Sequence, residues 1–244
     1  MATEAGRPAF YALAPGGWRD YVTLLHPPYT AWHLSYVALG AALTPAFAWS
    51  RFLPTLAAFF LAVGIGAHAL DELNGRPLRT RIPSGVLVAL AALSIAGAIA
   101  VGIAGALTVD PWLAAFVAAG AFIVVAYNLE LAGGRFHNDL WFGVAWGAFP
   151  VLTAYFAAAG RLDAVAVAGA LFALLSSLAQ RALSTPVRDV RRRIVLVEGR
   201  VERQDGGVEP VTAELLLRGK EDALRALAGA CVALAVALVI MRVT

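Results

Sequence analysis

Apolar stretches at residues 31–49, 55–70, 86–109, 111–127, 140–159, 162–183 and 223–241 follow one another with only short polar breaks. A membrane-crossing helix needs about 20 mostly apolar residues. One such stretch can be a buried core helix, but seven in a 244-residue chain leave too little polar sequence to coat a soluble fold. The totals agree: 60% of residues are hydrophobic, 14% are charged and mean hydropathy is +0.74. The expectation is an all-α polytopic membrane protein of about seven transmembrane helices, forming one domain over residues 1–244. Residues 1–30 make a polar N-terminal segment and residues 184–222 a long polar loop. Ala and Gly inside the stretches, such as Gly97, Gly102 and Gly105, suit close backbone approach between membrane helices.

Charge sets the expected orientation. If residues 1–30, the 71–85 loop, the 128–139 loop and the 184–222 segment, with the arginines just inside the adjoining helix ends, share one side, that side holds all of the 19 Lys and Arg except Arg51, Arg161 and Arg242. Basic residues concentrate in cytoplasmic loops. The N-terminus and these loops are therefore expected in the cytoplasm, in an integral, multi-pass protein of a cell membrane. The net charge of +3 reads as a topology signal, with no nucleic-acid partner implied. Residues 1–18 lack the continuous apolar core of a cleavable signal peptide. The single cysteine, Cys231, implies no disulfide.

Ionisable groups at the end of a membrane span are by default a candidate functional site. The second stretch runs into Gly66-Ala-His-Ala-Leu-Asp-Glu-Leu-Asn-Gly-Arg-Pro-Leu-Arg-Thr-Arg-Ile-Pro-Ser-Gly85. If helix continues to about Asn74, then His68, Asp71 and Glu72 stand at i, i+3 and i+4 on one face. Carboxylates with substrate phosphate oxygens suit Mg2+. Gly75 and Pro77 stop the helix, and Arg76, Arg79 and Arg81 follow within reach of anionic groups. The competing reading is a helix end followed by arginines that only set topology.

Arg76-Pro-Leu-Arg-Thr-Arg-Ile82 matches Arg188-Asp-Val-Arg-Arg-Arg-Ile194 at three arginines and an isoleucine, and each copy follows an even-numbered apolar stretch. Two related halves would converge such loops on one pocket. The second copy has Leu183, Ser184 and Pro186 where the first has Asp71, Glu72 and Asn74, and keeps Asp189 among its arginines.

Four segments resemble the UbiA superfamily of intramembrane prenyltransferases. Thr23-Leu-Leu-His-Pro-Pro-Tyr-Thr30 leading to Gly40-Ala-Ala-Leu is similar to the start of that family's first helix. His68-x-x-Asp71-x-x-Asn74, closing with Ile82-Pro-Ser-Gly85, resembles a degenerate first Asp-rich motif. Tyr127-Asn128, Arg135, Asn138-Asp-Leu-Trp-Phe-Gly143, Trp146-Gly-Ala-Phe-Pro150 and Ala154-Tyr-Phe resemble its mid-chain pattern. Arg188-Asp189 falls where its second Asp-rich loop belongs. The resemblance implies a UbiA-like helix bundle around a cavity and transfer of a prenyl group from a prenyl diphosphate to a lipophilic acceptor. It implies Mg2+ on Asp71, Glu72 and Asp189, with Asp71 and Glu72 catalytic. The substrate would be held by His68, Asn74, Arg76, Arg79, Arg81, Asn128, Arg135, Arg188, Arg191 and Arg192.

The chain departs from that pattern in having seven apolar stretches where the family commonly has nine, and in lacking most acids of the second motif. Guanidinium forks can neutralise phosphate charge in place of metal. The alternative is therefore a non-catalytic binder or transporter of a polyprenyl or other lipid phosphate on the same scaffold.

The remaining polar residues carry plainer readings. His26 and His33 flank the start of the first stretch as interfacial residues, and His137 satisfies its own loop. Residues 193–214 alternate apolar and polar around Asp205-Gly-Gly207, which predicts a small cytoplasmic β-hairpin serving as a connector or as a lid.

Overall fold

The computed structural model describes residues 7–244. It is an almost wholly helical bundle. Five helices are long and apolar enough to cross a membrane: α3 (Trp49–Leu73), α4 (Ser84–Thr108), α6 (Asp139–Ala159), α7 (Ala164–Arg192) and α8 (Ala213–Val243). Two 16-residue helices, α2 (Pro27–Ala42) and α5 (Leu113–Asn128), complete the bundle, and a short α1 (Trp18–Leu24) precedes them. At 1.5 Å per residue, 16 residues span about 24 Å, less than the ~30 Å hydrocarbon core.

The centre is formed by α2 and α6. Trp32, Tyr36, Val151 and Ala173 are buried in the largest apolar cluster with Leu217, Leu224 and Cys231 of α8. Glycine permits the tightest crossings. A Cβ on Gly40 would overlap the backbone of Val151, and one on Gly147 would stand 2.6 Å from the Ala173 carbonyl oxygen. Small residues drive such packing where lipid removes any hydrophobic gain. At the periphery, α4 and α8 expose apolar side chains such as Leu93, Leu107 and Ile240. These surfaces suit hydrocarbon.

Two of the long helices widen midway. Residues Phe60–Ala67 of α3 and Gly143–Ala148 of α6 form π-helical turns, a feature that recurs at functional sites. The two turns meet, because Val63 and Ala67 pack with Ala145 and Trp146 in one cluster. Each widened stretch also offers a carbonyl to an imidazole: His68 Nδ1 is 3.1 Å from the Gly64 oxygen, and His33 Nδ1 is 3.0 Å from the Trp146 oxygen.

Residues expected in the long polar loop differ from that expectation at its start. Helix α7 continues through Pro186 to Arg192. Arg191 and Arg192 in its last turn complement the negative end of the helix dipole, and an Asp189–Arg193 pair at 3.2 Å adds i,i+4 support. The hairpin exists but is small: β1 (Arg200–Glu202) pairs antiparallel with β2 (Val208–Pro210), Arg200 opposite Pro210. Both strands are largely exposed, so no buried face extends the ladder. At the opposite end of the bundle, Arg51 donates to the Ala158 carbonyl at 2.7 Å and Arg242 to the Ala42 carbonyl at 2.6 Å. These two arginines outside the basic cluster satisfy carbonyls at helix C-termini.

Candidate functional site

The end of α3, the start of α2, the end of α5 and the last three turns of α7 enclose a chamber of about 120 Å³. Its charged lining is Asp71, Arg181, Arg188 and Arg192. Helical spacing brings the arginines together: 181, 188 and 192 are i, i+7 and i+11 and lie on one stripe of α7. Arg181 is held by Asp139 at 2.8 Å and by the Tyr127 hydroxyl at 2.9 Å. Among the described residues, Arg188 makes one hydrogen bond, to Thr185 at 3.2 Å, and Arg192 one, through Nε to the Pro8 carbonyl at 3.1 Å. Both keep donors for the chamber. Arg192 and Arg188 are the strongest charged neighbours of Asp71.

The neutral lining consists of imidazoles and phenols. His26 stacks on His68 with ring centroids 4.1 Å apart, and its Nδ1 lies 2.9 Å from the Tyr11 hydroxyl. Burial first, then the neighbouring His68, Arg192 and Arg188, pushes the His26 pKa well below the ordinary imidazole value. Burial raises the Tyr11 phenol well above its usual value. His26 also adopts a left-handed backbone, φ +46°. Such strain costs about 1–3 kcal/mol in a non-glycine residue and persists only where surroundings hold it. Residues Pro8 to Tyr11 close the chamber from outside. They are anchored by the Arg192–Pro8 bond, by Arg225 over the Phe10 ring at 4.7 Å and by Ala9 and Ala12 packed on Leu78.

A second, apolar chamber of about 320 Å³ lies between α3, α4, α5 and α6. Phe59, Ile95, Phe116 and Phe149 line it, and Val63 and Trp146 line both chambers. A cationic pocket and an apolar pocket thus share one wall, at the two π-helical turns.

Of the residues singled out in the sequence, His68, Asp71, Asn128, Arg188 and Arg192 line the cationic chamber. Glu72 requires correction. Successive helical residues point about 100° apart, and Glu72 is completely buried on the other side, where its carboxylate accepts from Leu78 N at 2.9 Å, Thr80 N at 2.8 Å and Thr80 Oγ1 at 2.9 Å. It folds the following connector. Arg76 does the same, donating to the Ile82 carbonyl at 2.6 Å and to Ser84 at 2.7 Å. Arg79 and Arg81 stand outside the chamber; Arg79 has φ +56°, and Arg81 donates its backbone N–H to Asp20 at 3.0 Å. Asn74 bonds the Asn128 carbonyl at 3.4 Å and does not line the chamber, and neither does Arg135, whose carbonyl accepts from Asn138.

Arg191 is a further correction. It makes a buried two-point ion pair with Glu221, at 2.5 and 2.9 Å, which ties α7 to α8. Asp189 pairs with Arg193 at the surface. The carboxylates expected to hold Mg2+ therefore do not converge. Among the described residues, no three His, Cys, Asp or Glu side chains are placed to hold a metal. One carboxylate among three arginines does not fit the expected Mg2+ site.

Tyr11, Gln180 and Arg181 had no assigned role in the sequence, and His26, expected as an interfacial residue, is instead buried in the chamber wall. The signal for Arg181 was present in its spacing to Arg188 and Arg192, and was hidden by ending the helix at Leu183. Tyr11 and His26 meet only through tertiary folding. The chain matches no family model, no curated protein and no solved structure.

Proposed function

We propose that the chain is a multi-pass protein of the cell membrane that binds a polyprenyl phosphate or similar lipid phosphate, with α2 and α5 as two further passes beside the five long helices. The observation that carries this reading is the shared wall between the two chambers. Arg188 and Arg192 offer directional, charge-assisted donors for a phosphate, and the adjoining apolar chamber matches an extended hydrocarbon tail. The basic chamber end faces the cytoplasm in this reading, following the positive-inside bias. The UbiA-like segments around His68, Tyr127 and Arg188 support the same ligand class.

Prenyl transfer is the second reading, favoured by Asp71 beside the shared wall. In that reaction the prenyl C–O bond breaks with its electron pair leaving on the diphosphate, and an electron pair of the acceptor forms the new bond to the prenyl carbon. The arginines stabilise that developing charge, and the acceptor gives up a proton to Asp71. Mg2+ has no converging carboxylates here, and no step is routed through it.

Titration of the purified full chain in micelles with farnesyl diphosphate, farnesyl phosphate and farnesol tests the first reading. Both phosphates are expected to bind at least tenfold tighter than farnesol. Equal affinity for all three would overturn it. Acceptor-dependent pyrophosphate release would decide for transfer.

A further inference from the structure

Two polar groups in the cationic chamber lack hydrogen-bond partners among the described residues. His26 is nine-tenths buried and its Nε2 has no hydrogen bond; Gln180 is 2% exposed and its Oε1 has none. Both residues line the chamber beside Arg188 and Arg192. A buried polar group left unpaired is costly, so two in one small cavity identify positions that a ligand satisfies.

The tautomer of His26 follows from its neighbour. Among the described residues, the Tyr11 hydroxyl makes one hydrogen bond, to His26 Nδ1 at 2.9 Å. A phenol carries a single hydrogen, and the ring nitrogen of His26 that has no partner is Nε2. With Tyr11 donating to Nδ1, the imidazole hydrogen sits on Nε2. His26 presents a neutral N–H, and Gln180 an amide that donates and accepts.

The charge of the chamber limits its ligand. Three arginines and one aspartate leave two positive charges, and Asp139, paired with Arg181 from outside the lining, offsets one of them, so one remains. A phosphate monoester carries about −1.5 to −2 at pH 7. A diphosphate ester carries one negative charge more, and the chamber holds no converging carboxylates to recruit a compensating Mg2+. A monoester near its second ionisation also keeps a fraction of P–OH, which is the donor that an amide oxygen accepts.

We infer that the chamber is selective for a lipid monophosphate over a diphosphate, whose larger charge the chamber offsets less well, with Arg188 and Arg192 contacting the phosphate and with His26 Nε2 and the Gln180 amide reading its oxygens. This rests on the lipid-phosphate reading above and narrows it to one phosphate. His26 and Gln180 are specificity residues of the binding site.

The test is calorimetric titration of the full chain in micelles with farnesyl phosphate and with farnesyl diphosphate, both in EDTA. The monophosphate is expected to bind about tenfold or more tighter. Equal or tighter binding of the diphosphate overturns the inference and leaves the lipid-phosphate reading standing, whereas two phosphates no better than farnesol remove both. In the same assay His26→Ala and Gln180→Ala are each expected to weaken the monophosphate about tenfold, the scale of one hydrogen bond to a charged group. His26→Gln, which keeps an N–H donor at the Nε2 reach, should retain most of the affinity. Unchanged monophosphate affinity in both alanine variants, with unfolding midpoints equal to the parent's, also overturns the assignment.

Discussion

The connector after α3 and the end of α7 share an Arg-x-x-Arg-x-Arg-Ile pattern, yet they use their arginines in opposite ways. In the connector, residues 75–83 turn back on themselves, with positive φ at Gly75, Arg76 and Arg79, and a wholly buried Glu72 holds the turn. Arg76 is absorbed in that turn and Arg79 and Arg81 stay outside the chamber. At the end of α7 the same spacing lies on a continuous helix. There Arg188 and Arg192, four residues apart, share a face and reach the chamber, while Arg191, about 60° from Arg188 and about 100° from Arg192 on the helix, meets Glu221. Local backbone decides what an arginine pattern means, and a shared pattern does not imply a shared site.

That contrast can be broken at several points. Glu72→Ala leaves three buried donors of the connector unsatisfied and should cost about 4 kcal/mol, read as a large drop in unfolding midpoint in micelles. A loss under about 1 kcal/mol would mean the connector folds without it. Arg191→Ala strands a buried Glu221 carboxylate and should destabilise by about 3 kcal/mol. Breaking a buried pair costs more than replacing it, so Arg191→Met with Glu221→Leu should recover most of the loss. If instead Arg191→Ala is stable but loses farnesyl phosphate, the separation of roles within α7 is wrong.

The double variant Arg188→Ala, Arg192→Ala should keep its unfolding midpoint and lose about a hundredfold in farnesyl phosphate affinity, taking charge-assisted bonds at about 1.5–3 kcal/mol each. His26 gives a smaller, pH-dependent effect. Its folded-state pKa lies below the ordinary value near 6.5, so the unfolded chain takes up the proton first. Stability is full above pH ~6.5 and falls as pH drops below it, by at most about 1.4 kcal/mol per pH unit for one proton. His26→Gln should flatten that slope, measured by unfolding between pH 7 and pH 5. Smallest of all, Arg79→Ala and Arg81→Ala should change affinity by less than about twofold, and a tenfold loss would return the connector to the site.

Much of the molecule was legible before folding, for reasons that differ by region. Five of the seven apolar stretches correspond to helices long enough to span, because hydropathy is a local property summed over about 20 residues, whereas stretches 31–49 and 111–127 fall on 16-residue helices and the expected count of seven spans is not met. The five longest satisfy the spanning criterion outright. The helix extension to Arg192 was hidden because the apolar run ends at Leu183, whereas the helix is carried on by charges at i,i+4 and by its dipole. Asp71, Arg188 and Arg192 stood out because charge at a span end is costly. Glu72 stood out for the same reason and does different work, since only the folded connector brings Thr80 and Leu78 to its carboxylate.

Composition and periodicity determined that this chain makes apolar helices gathered around a basic end, because burial of apolar side chains and helical spacing act over one or two turns. Which basic residues share a chamber, which of two adjacent acids faces it, and that Tyr11 meets His26 were decided by tertiary structure. Those contacts join residues such as Pro8 and Arg192, 184 positions apart. No local pattern records such a pairing, because its energy comes from the geometry of α7 packed against the start of the chain.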